Sequence, residues 1–154
     1  MRVAAVCISI SLLSVNPAGA QYSAADFVGT WELASIEARG ESGNWSPAAL
    51  PMSGTPVGVI MYDAQGNMAV QITGNPRGQE TPPENPDIVN GYVAYYARYE
   101  VDAQAGTVTH HRRNHINPDL GDLSVVRYFR FQDEILTLTV APERTLRLNW
   151  VRVR

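Results

Sequence analysis

Short segments of alternating apolar and polar residues, rich in β-branched and aromatic side chains, recur from about residue 27 to the end of the chain. The clearest pair is residues 57–62 and 68–72, which flank Asp63-Ala64-Gln65-Gly66, the pattern of a β-hairpin. No stretch keeps apolar residues at the 3.6-residue spacing of a long helix. The pattern therefore predicts an all-β domain.

Eight strands are predicted, in up-and-down order and joined mostly by short turns. They comprise residues 27–39, 57–62, 68–72, 95–102, 107–115, 124–131, 135–140 and 146–153. A flat sheet of this size would expose two edges, and closure removes them. We therefore predict an eight-stranded antiparallel barrel. A two-sheet sandwich is the alternative, although the short links do not suggest its usual crossovers.

Two longer connections interrupt this order. Residues 40–55 are rich in Gly, Ser and Pro, and residues 73–86 contain four prolines and few apolar side chains. Both are expected to be surface loops that control access to the barrel interior. A short helix is predicted beneath the second loop, over residues 88–94.

Residues 1–20 have the features of a secretory signal peptide. Arg2 supplies a positive start, residues 3–15 are mostly apolar, and Ala18-Gly19-Ala20 are small residues of the kind that precede a cleavage point. The apolar run is shorter than the ~20 residues of a membrane-spanning helix. We expect a domain of residues 21–154, exported by bacteria to the periplasm or the medium, with no membrane span after cleavage.

Composition excludes several kinds of chemistry. Cys7 is the only cysteine and lies in the leader, so the mature chain has no disulfide, thiol nucleophile or thiolate metal site. The chain contains no lysine, which excludes Schiff-base catalysis. Its net charge of −3 becomes more negative when Arg2 is removed, so nucleic acid is not an expected partner.

Several segments resemble a known family. Gly29-Thr30-Trp31 resembles the G-x-W opening of lipocalins, and segments 58–68, 95–101, 108–111 and 148–152 are similar to the bacterial and fungal lipocalin-like domain family. Pro118, Gly121 and Arg127 also match it at their spacing, so the resemblance covers nearly all of the mature chain. It implies a calyx-like barrel rather than a particular activity.

The resemblance also implies roles for residues at the closed end of the barrel. In lipocalins the G-x-W tryptophan closes the floor, and an arginine of the last strand stacks across it. Trp31 matches that tryptophan. Arg152 or Arg147 matches the arginine.

Strand alternation predicts which side chains line the interior. If the apolar faces point inward, so do the residues that we take as the candidate ligand site: Arg127, His110, Tyr95 and Tyr99, with Tyr62, Met61, Met68 and Trp150 as neighbours. This set suits a small, largely apolar ligand with a polar or anionic group. The structural alternative is that Arg127 pairs with Glu100 or Asp63 and that His110 bonds a tyrosine.

Two other classes of function stay open at this stage. A cofactor-free isomerase or cyclase could use His110 and Tyr99 in acid–base catalysis, with Arg127 stabilising an oxyanion. A structural or protein-interaction barrel would instead have an interior filled by side chains. No serine-hydrolase, zinc-protease or nucleotide-binding motif is present, and no cofactor is expected.

The histidine-rich tract, residues 110–115, is a candidate metal site by residue type. By alternation, His111 and His115 share a face opposite His110, and roughly 13 Å of strand separates them. The tract contains no carboxylate that could serve as a third ligand. We predict no metal site, and we interpret the tract, with Arg112 and Arg113, as exposed polar surface.

Overall fold

Nine antiparallel strands follow one another through a single sheet in the computed structural model, which describes residues 22–154. They are β1 (Gly29–Arg39), β2 (Trp45–Pro47), β3 (Thr55–Tyr62), β4 (Asn67–Asn75), β5 (Tyr92–Asp102), β6 (Thr107–His115), β7 (Ser124–Gln132), β8 (Ile135–Val140) and β9 (Leu146–Arg152). A short helix α1 (Ala24–Phe27) precedes β1, and a 3-10 turn (Pro118–Leu120) links β6 to β7.

Strand β1 closes the sheet into a barrel because it pairs with β3 along one edge and with β9 along the other. Trp31 illustrates this closure, since its register partners are Ile60 on β3 and Arg152 on β9. Strand β2 pairs only with the far end of β1, outside the closed circuit. The predicted eight-stranded antiparallel barrel is therefore confirmed, and β2 is a three-residue addition that the sequence pattern did not predict.

The helix predicted over residues 88–94 is wrong. Asn90 and Gly91 both adopt positive φ, at 50° and 67°, and form a tight turn instead of a helical segment. Strand β5 then begins at Tyr92, and Val93 pairs with Ile72 of β4. The β-branched and aromatic residues after the turn fit a half-buried strand, and cross-strand packing outweighs any local helical preference.

The floor of the barrel is built around Trp31. Its indole Nε1 donates to the carbonyl oxygen of Phe27, 2.9 Å away, and its side chain is almost fully buried. The guanidinium carbon of Arg152 lies 4.0 Å from the Trp31 ring centroid. Arg152 also donates to the carbonyl oxygens of Asp26 and Val28, both at 2.7 Å. Arg152 therefore ties α1 to the end of β9 and seals the floor.

Arg147, the other arginine considered for this position, lies elsewhere. Its guanidinium carbon is 4.3 Å from the ring centroid of Trp45, and its Nε donates to Glu37 at 2.8 Å. The hydrogen bond from Arg147 lowers the pKa of the Glu37 carboxyl below its usual value. Arg147 thus holds β2 against the barrel wall, away from the floor.

We expect Arg152→Met to lower the free energy of unfolding by about 2 kcal/mol, because two backbone acceptors lose their charged donor and Trp31 loses its stacked cation. Urea unfolding would measure the change. Arg147→Met is the matched control; it removes a partly exposed ion pair and is expected to lose at most about 1 kcal/mol. Equal losses in the two variants would contradict the assigned floor role.

Aromatic side chains fill the floor half of the barrel. Phe27 lies at their centre, with its ring centroid 5.0 to 5.3 Å from those of Tyr62, Phe129 and Phe131. Edge-to-face arrangements of this kind suit the ring quadrupoles and fill this end of the barrel with side chains. The cavity described below lies in the opposite half.

Candidate functional site

A cavity of about 290 Å³ occupies that opposite half. Its volume lies near the lower end of the ~300–1,000 Å³ typical of small-molecule sites. It is lined by Leu50, Ile60, Val70, Ile72, Asn85, Asp87, Val93, Tyr95, His110, Arg112, Arg127, Leu138, Val140, Leu146, Leu148 and Trp150. Leu50 and Asn85 come from the two long connections, so both predicted loops border the cavity.

The lining separates into two chemically different walls. Strands β3, β4, β8 and β9 contribute aliphatic side chains and Trp150. Strands β5, β6 and β7 contribute the phenol, imidazole and guanidinium groups, from Tyr95, His110, Arg112 and Arg127, together with Val93. A bound molecule would therefore meet an apolar surface on one side and hydrogen-bonding groups on the other.

His110 is the centre of the polar wall and is 1% exposed. Its Nε2 lies 2.9 Å from the hydroxyl oxygen of Tyr62, and its Nδ1 lies 2.9 Å from that of Tyr95. Burial lowers the pKa of His110 to about 3, and the positive charges of Arg127 and Arg112 add to the effect. The imidazole is therefore neutral at physiological pH, with one nitrogen donating and the other accepting.

This geometry does not favour the predicted acid–base pair. Both nitrogens of His110 are already engaged by tyrosine hydroxyls. Tyr99 is on an inward face, but its hydroxyl donates to the carbonyl oxygen of Asp63 at 2.9 Å, in the floor half. Burial also raises the pKa of Tyr99. Tyr99 is thus the register partner of His110 on the neighbouring strand, but it does not line the cavity and its hydroxyl makes no hydrogen bond to His110. The enzyme alternative gains no supporting contact from this arrangement.

Arg112 is the main lining residue that the sequence analysis did not select. Its side chain is 2% exposed, and its Nη2 donates to Asp87 Oδ1 at 2.6 Å. Its guanidinium carbon lies 4.5 Å from the ring centroid of Tyr95. The interpretation of Arg112 as exposed surface is wrong; it is a buried cation whose carboxylate partner comes from the connection between β4 and β5.

Alternation places Arg112 on the inward face of His110, as observed, and fails only at His115, where a β-bulge explains the difference. Tyr96 pairs with Asn114 and Ala97 pairs with Arg112, so Arg113 has no partner on β5. The extra residue turns His115 inward, where its Nε2 lies 3.1 Å from Asp87 Oδ1. His115 therefore joins Arg112 and not His111. Nothing in the sequence pattern marks the bulge.

Arg127 lines the cavity without a carboxylate partner. Its Nη1 donates to the carbonyl oxygen of Val126 at 2.9 Å, and none of the four ion pairs within residues 22–154 includes it. The carboxylates considered as its structural partners lie elsewhere: Glu100 is 3.5 Å from His111, and Asp63 accepts from Asn67 in its own hairpin. Within residues 22–154, Arg127 is thus a cavity-lining cation that forms no ion pair, although Asp87, the partner of Arg112, lines the same cavity.

The other predicted neighbours are divided between interior and exterior. Trp150 lines the cavity, and its Nε1 is buried without a hydrogen-bond partner. Tyr62 does not line the cavity, but its hydroxyl forms a hydrogen bond with His110, which does. Met68 is buried in the hydrophobic core and does not line the cavity. Met61 is 41% exposed and lies on the outside of the barrel, because it alternates with the inward Ile60 and Tyr62.

No group of three His, Cys, Asp or Glu side chains within residues 22–154 is arranged to hold a metal ion. His111 is on the outer surface, where its Nδ1 lies 2.8 Å from Ser124 Oγ. Neither helix within residues 22–154 has the length and apolar character needed to cross a membrane.

A closed antiparallel barrel with a tryptophan floor and an interior chamber defines a calyx-like class of protein. The model of the lipocalin-like domain family matches residues 28–150, well over half of the chain, and the chain belongs to this family. No match was found among curated proteins or among solved structures. The resemblance seen in the sequence is confirmed.

Proposed function

We propose that this protein is exported and binds one small, largely apolar molecule, with an anionic group, inside its barrel. The observation that carries the proposal is Arg127, a cation that lines the apolar cavity and forms no ion pair within the described residues. Arg127 is only partly buried, so water solvates it in the free protein, but a ligand that displaced this water would have to supply an anion or hydrogen-bond acceptors in its place. A ligand carboxylate would supply both.

The apolar wall would supply most of the affinity. Burial of apolar surface contributes about 25 cal/mol per Å², so a ligand of one or two rings could gain several kcal/mol from that wall. The polar wall would then fix its orientation and select its charge. A measurable cavity also favours a binding function over a barrel that is merely filled by side chains.

Export is proposed from the leader alone, and residues 1–20 lie outside the described part of the structure. The test is N-terminal sequencing of the protein recovered from the periplasm or medium of expressing bacteria. A chain beginning at Gln21 supports the proposed 21–154 domain and its location. A chain that stays in the cytoplasm with Arg2 still attached contradicts both.

We expect Arg127→Met to weaken binding of 2-naphthoate by about 10- to 100-fold, because a charge-assisted hydrogen bond contributes about 1.5–3 kcal/mol. Binding of the neutral analogue 2-naphthalenemethanol should change by less than about threefold, since its contacts are mainly apolar. Isothermal titration calorimetry on both probes would measure the difference.

Arg130→Met is the matched control for this experiment. Arg130 lies on the same strand, β7, and its side chain is exposed on the outer face of the barrel. Its replacement removes the same charge from the protein without touching the cavity. If Arg130→Met and Arg127→Met weaken 2-naphthoate equally, or if the unmodified protein binds neither probe, the proposed function is wrong.

A further inference from the structure

We propose that Tyr95 is a second recognition point beside Arg127, and that the ligand is a compact ring carboxylate with a hydroxyl or oxo acceptor along the same edge. This inference rests on the proposed function and specifies its ligand class. It follows from a count of hydrogen-bond donors in the polar wall, from the burial of those donors, and from the arrangement of the two walls.

The first step is the direction of the hydrogen bonds through His110. Its neutral ring carries one N–H, so it donates to one tyrosine and accepts from the other. Tyr62 is 3% exposed, and His110 is the one partner of its hydroxyl within the described residues. If His110 donated to Tyr62, the Tyr62 hydroxyl hydrogen would be buried without an acceptor, at a cost of about 1–3 kcal/mol.

If the two hydrogen bonds of His110 run in the opposite direction, both the Tyr62 hydroxyl and the His110 N–H have an acceptor. Tyr62 donates to Nε2 of His110, and the Nδ1–H of His110 donates to the hydroxyl oxygen of Tyr95. The hydroxyl hydrogen of Tyr95 is then left without a protein acceptor within residues 22–154, and Tyr95 lines the cavity. Burial raises the pKa of Tyr95, so this hydroxyl keeps its proton at neutral pH. Tyr95 is therefore positioned to donate to a bound molecule.

The second step is that the other free polar groups on the barrel strands are donors as well. Trp150 is 2% exposed, and its Nε1 has no hydrogen-bond partner within residues 22–154; the Nε of Arg112 is likewise buried and unpartnered. The lining residues that carry acceptors, Asn85 and Asp87, come from the connection between β4 and β5, and Asp87 Oδ1 already accepts from Arg112. Buried donors are normally satisfied. A ligand that satisfied the donors of the barrel strands would therefore have to bring more than one acceptor.

The third step is the shape of the chamber. Tyr95 on β5 and Arg127 on β7 belong to one side of the barrel, and aliphatic side chains face them from β3, β4, β8 and β9. A linear fatty acid carries its hydrogen-bond acceptors at one end, so these acceptors reach only part of the polar wall. A flat ring system with acceptors along one edge can use the whole wall, and its opposite face can cover the aliphatic side. The volume of about 290 Å³ also favours a compact molecule.

The test compares three carboxylates of similar size by calorimetry: chromone-2-carboxylate, which carries a ring oxo group, 2-naphthoate, which does not, and decanoate. We expect chromone-2-carboxylate to bind tightest. Tyr95→Phe should weaken chromone-2-carboxylate by about three- to tenfold, the range of one neutral hydrogen bond, and change 2-naphthoate by less than about twofold. Tyr99→Phe removes a floor hydroxyl and should change neither.

The outcomes separate this inference from the proposed function. If 2-naphthoate binds through Arg127 but decanoate binds as tightly as chromone-2-carboxylate, or if Tyr95→Phe weakens both ring probes equally, the inference is wrong and the proposed function stands. Should Tyr95→Phe fail to fold, the ¹⁵N spectrum of the unmodified protein decides. Protonated Nδ1 on His110 supports the inference, and protonated Nε2 overturns it.

Discussion

Asp87→Asn is expected to lower the free energy of unfolding by about 3 kcal/mol, the low end of the loss seen when one partner of a buried ion pair is removed. The Arg112 side chain is 2% exposed and donates to the Asp87 carboxylate at 2.6 Å. A neutral amide leaves the guanidinium buried and without its counter-charge. The low end of the range applies because the Asp87 side chain is itself 39% exposed.

Arg112→Met distinguishes an uncompensated charge from simple loss of a contact. It removes the buried cation and leaves behind a carboxylate that water reaches, so we expect a loss of only about 1 kcal/mol. The double variant Asp87→Asn/Arg112→Met should resemble Arg112→Met. Urea unfolding with linear extrapolation would measure all three. An Arg112→Met loss as large as that of Asp87→Asn would show that packing, and not charge, dominates at this position.

The second large effect is a loss of stability in acid that depends on His110. The pKa of His110 is about 3 in the folded chain and 6.5 in its ordinary state, so the unfolded chain binds more protons between those values. The stability that neutral His110 provides to the folded chain is fully present above pH 6.5 and is lost as the pH falls toward 3. The loss is up to about 1.4 kcal/mol per pH unit, or on the order of 3 kcal/mol between pH 7 and pH 4.

His110→Gln isolates this contribution. The glutamine amide can still donate and accept between the two tyrosines, but it does not titrate. We expect the difference in unfolding free energy between the unmodified protein and the variant to shrink by about 3 kcal/mol from pH 7 to pH 4. Burial also lowers the pKa of His115, so this residue too makes the protein less stable in acid. Because both proteins contain His115, its contribution cancels in the difference between their unfolding free energies. Parallel stability curves would contradict the assignment.

Much of the fold could be predicted from local patterns. Strand alternation and turn residues gave the barrel circuit and its strand order, and Gly29-Thr30-Trp31 gave the floor. The error over residues 88–94 overlooked a local signal. Asn90-Gly91 is a dipeptide that favours a tight turn with positive φ, and β-branched and aromatic residues flank it. Strand β2 has only three residues, too few to show the alternation of apolar and polar side chains that marks a strand.

The candidate site was predictable only in part, for a geometric reason. Alternation assigns a side chain to a face, and it placed Tyr95, His110, Arg127 and Trp150 on inward faces, where the structure brings them to one cavity. Alternation does not assign depth along the barrel axis. Tyr99 is consequently inward but packed in the floor half, as its bond to Asp63 shows.

By itself, then, the sequence determined which eight strands form the barrel circuit, which of their faces turn inward apart from the bulged end of β6, and that an arginine and a histidine lie among apolar neighbours. Local periodicity carries that information because each side chain's direction follows from its position along its own strand. Only the tertiary structure decided that Asp87 neutralises Arg112, that a bulge turns His115 inward, and that Arg127 forms no ion pair within residues 22–154. Those facts depend on register and on the path of a loop across the mouth. Contacts between residues distant in the chain set both.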